Sequence, residues 1–255
     1  MLLRRIIQHF RNQEWTAICI DFLIVVFGVF MGIQVANWNQ AQNDISLGTS
    51  YMKRIQVDVE TDIENYHKRM AFWEQVLNYG SKALAFAENQ PHKESTAWQM
   101  ILAFFQASQI SEFYTTLATY NELTNAGDLR LLGNVAMRNA VTNYYTNSYN
   151  PALTERPKYR EQVRGIIPVN IQTYIWQYCH TSNGAADQRL LDCDPPMDLT
   201  DSGKVLKTLI SNQALLANLR YWISNQTVAI KIGIDRITEA EKLKSLIESE
   251  LEATK

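Results

Sequence analysis

Asp21 is the residue least matched to its surroundings, standing in the apolar run Ile20-Asp21-Phe22-Leu23-Ile24-Val25-Val26. A carboxylate in hydrocarbon is costly unless paired, hydrated or neutralised, so such residues serve proton or ion paths, or contacts between helices. Gly28 and Gly32 follow at a spacing of four, the small-xxx-small pattern that lets two helix backbones approach closely. Gln34 adds an amide that can hydrogen-bond across such an interface. The plainer reading of Asp21 places it only about 9 Å from Trp15 along a helix axis, within reach of headgroups or a neighbouring subunit's basic tail.

A second constellation is the pair Cys179 and Cys193, which flank HTSNGAADQRLLD. Two cysteines around a polar loop favour a disulfide in an oxidising compartment. Two free thiols, or a metal site with His180, are the rivals, and one histidine with two cysteines leaves a structural metal site one ligand short. Cys19 reads as a small apolar filler. The other histidines, His9, His67 and His92, show no ligand spacing. There is no nucleophile elbow, phosphate loop, HExxH or paired Cys-x-x-Cys. The expectation is therefore no catalytic residues, no cofactor, no bound metal and no enzyme.

These residues must be carried by elements, and the first is plain. Thr16 to Ala36 reads TAICIDFLIVVFGVFMGIQVA, whose length suffices to cross roughly 30 Å of hydrocarbon at 1.5 Å per residue. Trp15 and Trp38 bracket it as interfacial aromatics in contact with membrane lipid. Gln34-Val35-Ala36 makes a poor cleavage site, so the run is expected to stay as an anchor rather than leave as a signal peptide. Arg4, Arg5 and Arg11 precede it, which by the positive-inside rule puts the N-terminus in the cytoplasm. The expected organisation is a cytoplasmic tail over 1–14, a transmembrane helix over 15–38 and a periplasmic helical domain over 39–255, in a bacterial inner membrane.

The rest of the chain is dominated by helical periodicity. Ile55, Val59, Ile63, Tyr66, Met70, Trp73, Leu77 and Leu84 form one stripe along a helix of about 40 residues that Asn89-Gln90-Pro91 ends. A second helix starts after Ser95 or Thr96, and a third covers Glu112 to Asn125 before Gly127. Asn134 caps a fourth that runs to Tyr149, where Asn150-Pro151 breaks it. Thr154 to Cys179 reads as helical with a break at Pro168. After Asp201 as a cap, Leu209, Leu216, Ile223, Ile230, Ile237 and Leu251 share a seven-residue frame. Leu219, Ala240 and Ile247 fill a second seam position, which predicts a single helix of up to 50 residues. The expected fold class is all-α, with the transmembrane helix continuing into an elongated antiparallel bundle with two long helices.

Composition agrees. With 24 Lys+Arg against 26 Asp+Glu, the net charge of −2 leaves no basic stripe for nucleic acid. Ten Gly and six Pro in 255 residues fall well below the usual share of about 12%. So few turn residues disfavour a sandwich or barrel of short strands.

Asp21, Gly28, Gln34 and Asn37-Trp38-Asn39 resemble the anchor of a large family of uncharacterised bacterial single-span membrane proteins. Tyr51, Arg54, Asp58 and Asp62 match the start of that family's first soluble helix. Tyr120-Asn121-Glu122-Leu123-Thr124-Asn125-Ala126-Gly127-Asp128-Leu129 and then Tyr144-Tyr145 resemble its later blocks. The resemblance covers about the first 150 residues and implies a membrane-anchored helical domain with no activity to transfer. The Tyr120 block itself reads as a capping turn with a buried tyrosine, or as a ligand-binding corner built from Glu122, Asp128 and Arg130.

The functional expectation is a non-enzymatic, homo-oligomeric scaffold or an accessory subunit of an envelope complex. The alternatives are a periplasmic sensor or ligand-binding module, and a proton-coupled stator-like subunit that works through Asp21 with a multi-span membrane partner.

Overall fold

The computed structural model describes residues 15–88, 96–147, 156–183, 187–197 and 201–253. The basic tail over 1–14, the stops at Asn89-Gln90-Pro91 and Asn150-Pro151, Tyr149 and the expected start at Thr154 lie outside them.

Helix α1 (Trp15–Ala87) runs unbroken for 73 residues, about 110 Å at the helical rise. No proline interrupts it. An 18-residue window near its start reaches a mean hydropathy of 2.4 with none of it buried, and is long and apolar enough to cross a membrane. From Gly48 onward one face turns inward: Tyr51, Ile55, Val59, Tyr66, Trp73, Val76 and Ala83 are all buried. The spacings of three, four and seven between them are those of a helix docked along a partner.

That partner is α8 (Gln213–Ala253), whose Leu216, Leu219, Trp222, Ala229, Ile237, Ala240 and Ile247 face α1 and its neighbours. The two run antiparallel. Gly80 lies against Ile223, Gly233 against Met70, Glu60 pairs with Lys244, and Gln56 donates to Glu248. A Cβ added at Gly80 or Gly233 would sit 2.9 Å from those neighbours, so both glycines set how closely the long helices approach. The all-α class with two long antiparallel helices is thereby observed, with one small hairpin added.

Shorter elements cover two ends of this pair. At the far end are α2 (Ala97–Gln106), α5 (Lys158–Ile166), α6 (Val169–Tyr178), the antiparallel hairpin β1 (His180–Asn183) and β2 (Asp187–Leu190), and α7 (Ser202–Ser211). Their core centres on Phe72, Trp73, Phe104, Phe105, Tyr159 and Leu219. Nearer the apolar segment are α3 (Ala118–Ala126), a 3-10 turn (Asp128–Leu131) and α4 (Val135–Thr146), around Tyr51, Ile55, Leu123, Met137, Tyr144 and Ile247. Thr96 caps α2 through a reciprocal capping box with Gln99, and Asn134 caps α4 by accepting from Met137 N–H. Gly127 closes α3 in the left-handed region at φ 74°.

Four expectations are corrected. The last helix is two helices: Asn212 adopts extended backbone, and its side chain accepts from Leu215 N–H at 3.0 Å, restarting the chain as α8. A short amide competes with the helical backbone for such bonds. Asp201 makes no side-chain cap and sits at φ 59°. The third helix begins six residues later than expected, at Ala118 rather than Glu112, because the connector before it is stitched to other elements. Trp222 Nε1 donates to Ala107 O, Trp73 Nε1 to Ser111 O, and Thr116 N–H to Asp62. Buried backbone finds partners wherever they exist, and here the partners are side chains rather than a helical turn. The segment between the cysteines, expected as a loop, forms the hairpin.

Candidate functional site

Among the described residues, none of the apolar window near the start of α1 is buried. Phe22, Phe27 and Val29 are 60–65% exposed, and Trp15 and Trp38 are 65% and 63% exposed. The two tryptophans lie 23 residues apart, about 35 Å along the axis, close to the thickness of a hydrocarbon core. Nothing lies within 4 Å of where a Cβ on Gly28 or Gly32 would point. At 100° per residue, Asp21, Gly28 and Gly32 fall within a sector of about 40°. This places a carboxylate and two bare backbone patches on one face. Gln34 does not join them: six residues after Gly28, it points about 120° away.

Above this end, the stretches around Tyr51, Tyr120 and Tyr144 converge, although up to about 90 residues separate them in the chain. Arg54 forks onto both carboxylate oxygens of Glu122, with Nη1 to Oε1 at 3.0 Å. Each partner holds the other's charge: Arg54 is pushed above its ordinary value and Glu122 below. Tyr51 donates to Asp128 at 3.3 Å. Arg130 donates to Asp44 at 2.9 Å, and this bond, with one from Gln40, holds the Asp44 carboxyl below the usual range. Glu122, Asp128 and Arg130 thus all clamp onto α1. They serve the docking of the turn and do not form an open ligand-binding corner.

About two turns further along α1 lies Asp62, which has no exposed surface. Its Oδ1 accepts from Thr116 N–H at 2.9 Å and Thr116 Oγ1 at 2.7 Å, and its Oδ2 accepts from Tyr144 Oη at 2.8 Å. Burial still pushes its carboxyl above the ordinary value, against these three bonds. Tyr144 sits edge-on to Tyr145, which stacks on Tyr120 with centroids 4.5 Å apart. One carboxylate therefore ties α1, the connector and α4 together, in a layer of aromatic rings.

Cys179 and Cys193 are joined by a disulfide with Cα atoms 5.3 Å apart, closing the hairpin. Gln106 Nε2 donates to Cys179 O at 2.7 Å and Trp98 Nε1 to Cys193 O at 2.7 Å, which anchors the bridge to α2. His180 packs edge-on to Trp176 rather than against the sulfurs. Among the described residues no group of three or more His, Cys, Asp or Glu is placed to hold a metal ion.

Two positions escaped the sequence reading as structural residues. Gly48 has the 3-10 turn laid directly on its backbone, where a Cβ would collide with Leu131 O. A glycine inside a long helix costs about 1 kcal/mol relative to alanine, and that cost was the signal. Thr116 as the partner of Asp62 carried no signal, since the two are 54 residues apart.

Comparison of the chain with protein families, with curated proteins and with solved structures gave no match.

Proposed function

We propose that this chain is a non-enzymatic, membrane-anchored scaffold or accessory subunit of a bacterial envelope complex. In this reading residues 15–38 cross the inner membrane, the N-terminal tail is cytoplasmic, the bundle is periplasmic, and the anchors associate through the face of Asp21, Gly28 and Gly32. The observation that carries the reading is the contrast along α1. Among the described residues its apolar window is unburied, yet it puts a carboxylate and two glycines on one face. In lipid such a face is satisfied by a second helix. The helix then continues without a break into the bundle, so an association in the bilayer fixes the spacing and orientation of the bundles outside it. The disulfide fits an oxidising compartment.

Light scattering of the detergent-solubilised full chain tests this. The expected result is an integer multiple of the monomer mass, weakened by Gly28→Leu by about 1–2 kcal/mol per interface on the scale of helix contacts in lipid. Asp21→Asn retains the oligomer if the carboxyl only hydrogen-bonds. A monomer in detergent and in nanodiscs would overturn the reading, as would an oligomer unmoved by Gly28→Leu. Topology is checked separately: an alkaline phosphatase fused at Lys255 is expected to be active, and an inactive fusion would reverse the orientation.

A further inference from the structure

At the far end of the bundle, four arginines gather around one buried connector. Arg160 Nη1 donates to Ser108 O at 2.7 Å and to Gln109 Oε1 at 3.4 Å, and Arg164 Nη2 donates to the same Gln109 oxygen at 3.1 Å. Arg69 donates to Ser111 Oγ. Arg156 pairs with Glu112 at 3.1 Å and is 76% exposed. Arg69, Arg156 and Glu112 line a surface cavity of about 340 Å³ together with Ser111 and Tyr114.

Much of this polarity serves the connector, whose carbonyls need donors, but three donors are left over. Among the described residues Arg69 Nε, Arg164 Nε and Gln109 Nε2 are buried with no hydrogen-bond partner; of the three residues Arg69 lines the cavity, while the Arg164 guanidinium lies over the Phe105 ring at 4.6 Å. Buried donors without acceptors are uncommon in native folds and call for one. Charge points the same way. Among the described residues Glu112 is the carboxylate paired within this group, set against four guanidiniums. Burial and the neighbouring Arg160 push Arg164 down to about 10, and burial and Arg156 likewise lower Arg160. An anion in the cavity would give Arg69 an acceptor and offset the excess of positive charge.

We propose that this cleft binds a soluble phosphate-type oxyanion, held by Arg69 and Arg156, with the Arg160 guanidinium near Arg156 adding positive charge beside it. This goes beyond the scaffold reading and takes from it only the position of the bilayer. Arg69 lies 31 residues past Trp38 on the same unbroken helix, about 45 Å along its axis. Even a 40° tilt, the upper end of the usual range, leaves about 35 Å. A headgroup layer is only roughly 5–8 Å deep, so lipid of the chain's own membrane does not reach the cleft.

The test is thermal unfolding of the full chain in nanodiscs of neutral lipid, titrated with inorganic phosphate against chloride at matched ionic strength. The expected result is a saturable, phosphate-specific rise in Tm. Arg156→Gln, at a largely exposed side chain, keeps the fold and weakens apparent phosphate affinity by about tenfold, the scale of one charge-assisted bond. Glu112→Gln removes a like charge and releases Arg156, so it tightens binding several-fold. A rise that chloride reproduces, or one that both variants leave unchanged, overturns the proposal. Should phosphatidylglycerol in the nanodisc produce the same Arg156-dependent rise without added phosphate, the ligand is a headgroup and the assignment to a soluble anion fails. Failure of this test leaves the scaffold reading intact, because the oligomer is measured at the other end of the molecule.

Discussion

Along α1, the residues from Phe22 to Val35 and those from Tyr51 to Ala83 share one helical backbone, but they place their apolar side chains in opposite ways. Phe22 and Phe27 are 65% exposed, whereas Phe72 and Trp73 are 2% and 3% exposed. In the second stretch apolar residues occupy one stripe and the opposite face is polar, the pattern of a helix between a core and water. In the first they surround the helix, the pattern of a helix wholly immersed in an apolar medium. Burying a large apolar side chain stabilises by about 1.5–3 kcal/mol. The bundle gains that from its own chain, while among the described residues the apolar window gains none of it there. The fold of the bundle and the burial of the apolar end are therefore separate problems on a single helix.

The largest effect expected from this contrast is between two phenylalanines. Phe105→Ala, in the far core, should cost about 3–5 kcal/mol of bundle stability. Phe27→Ala should leave bundle unfolding unchanged, as followed by denaturant titration of the solubilised chain. A comparable loss at Phe27 would mean that the apolar end contributes to the bundle fold and would break the contrast.

Opening the disulfide comes next. Its loop spans 14 positions, and replacing both cysteines by serine should cost about 2–3 kcal/mol by freeing the unfolded chain. Alkylation under non-reducing conditions followed by mass analysis should find both thiols protected in the native protein. Cys19 stays available as the free thiol.

Asp62 sharpens the comparison within the polar groups. Burial raises its native carboxyl above the ordinary value near 3.9. Its contribution is thus fully present below the unfolded value and is lost as pH rises through the native one. The stability of the wild type relative to Asp62→Asn should fall as pH rises above about 4 and then level off. A difference that grows over that window would show that the carboxylate, not the acid, is the favoured buried form.

The smallest effect should come from the exposed clamp. Arg54 and Glu122 are 45% and 50% exposed, and Arg54→Gln should cost less than about 1 kcal/mol by chemical denaturation. A larger loss would mark the corner as a cooperative unit with Asp62 rather than a surface pair.

The apolar run, the stripe from Ile55 to Leu84, the Thr96 and Asn134 caps, the Gly127 stop and the break at Pro168 were all legible in the chain. Each depends on residues within a turn or two of one another, where helical period and backbone sterics act alone. The direction of Asp21, Gly28 and Gly32 follows from that same period. What only the tertiary structure decided is longer in range. Arg54 meets Glu122 across 68 residues, Asp62 meets Tyr144 across 82, and Arg130 meets Asp44 across 86. No local pattern says which carboxylate will face which donor. That choice belongs to the docking of the turn on Gly48 and to the path of the connector, whose backbone found Asp62, Trp73 and Trp222 as partners and so gave up the helix its own sequence favours.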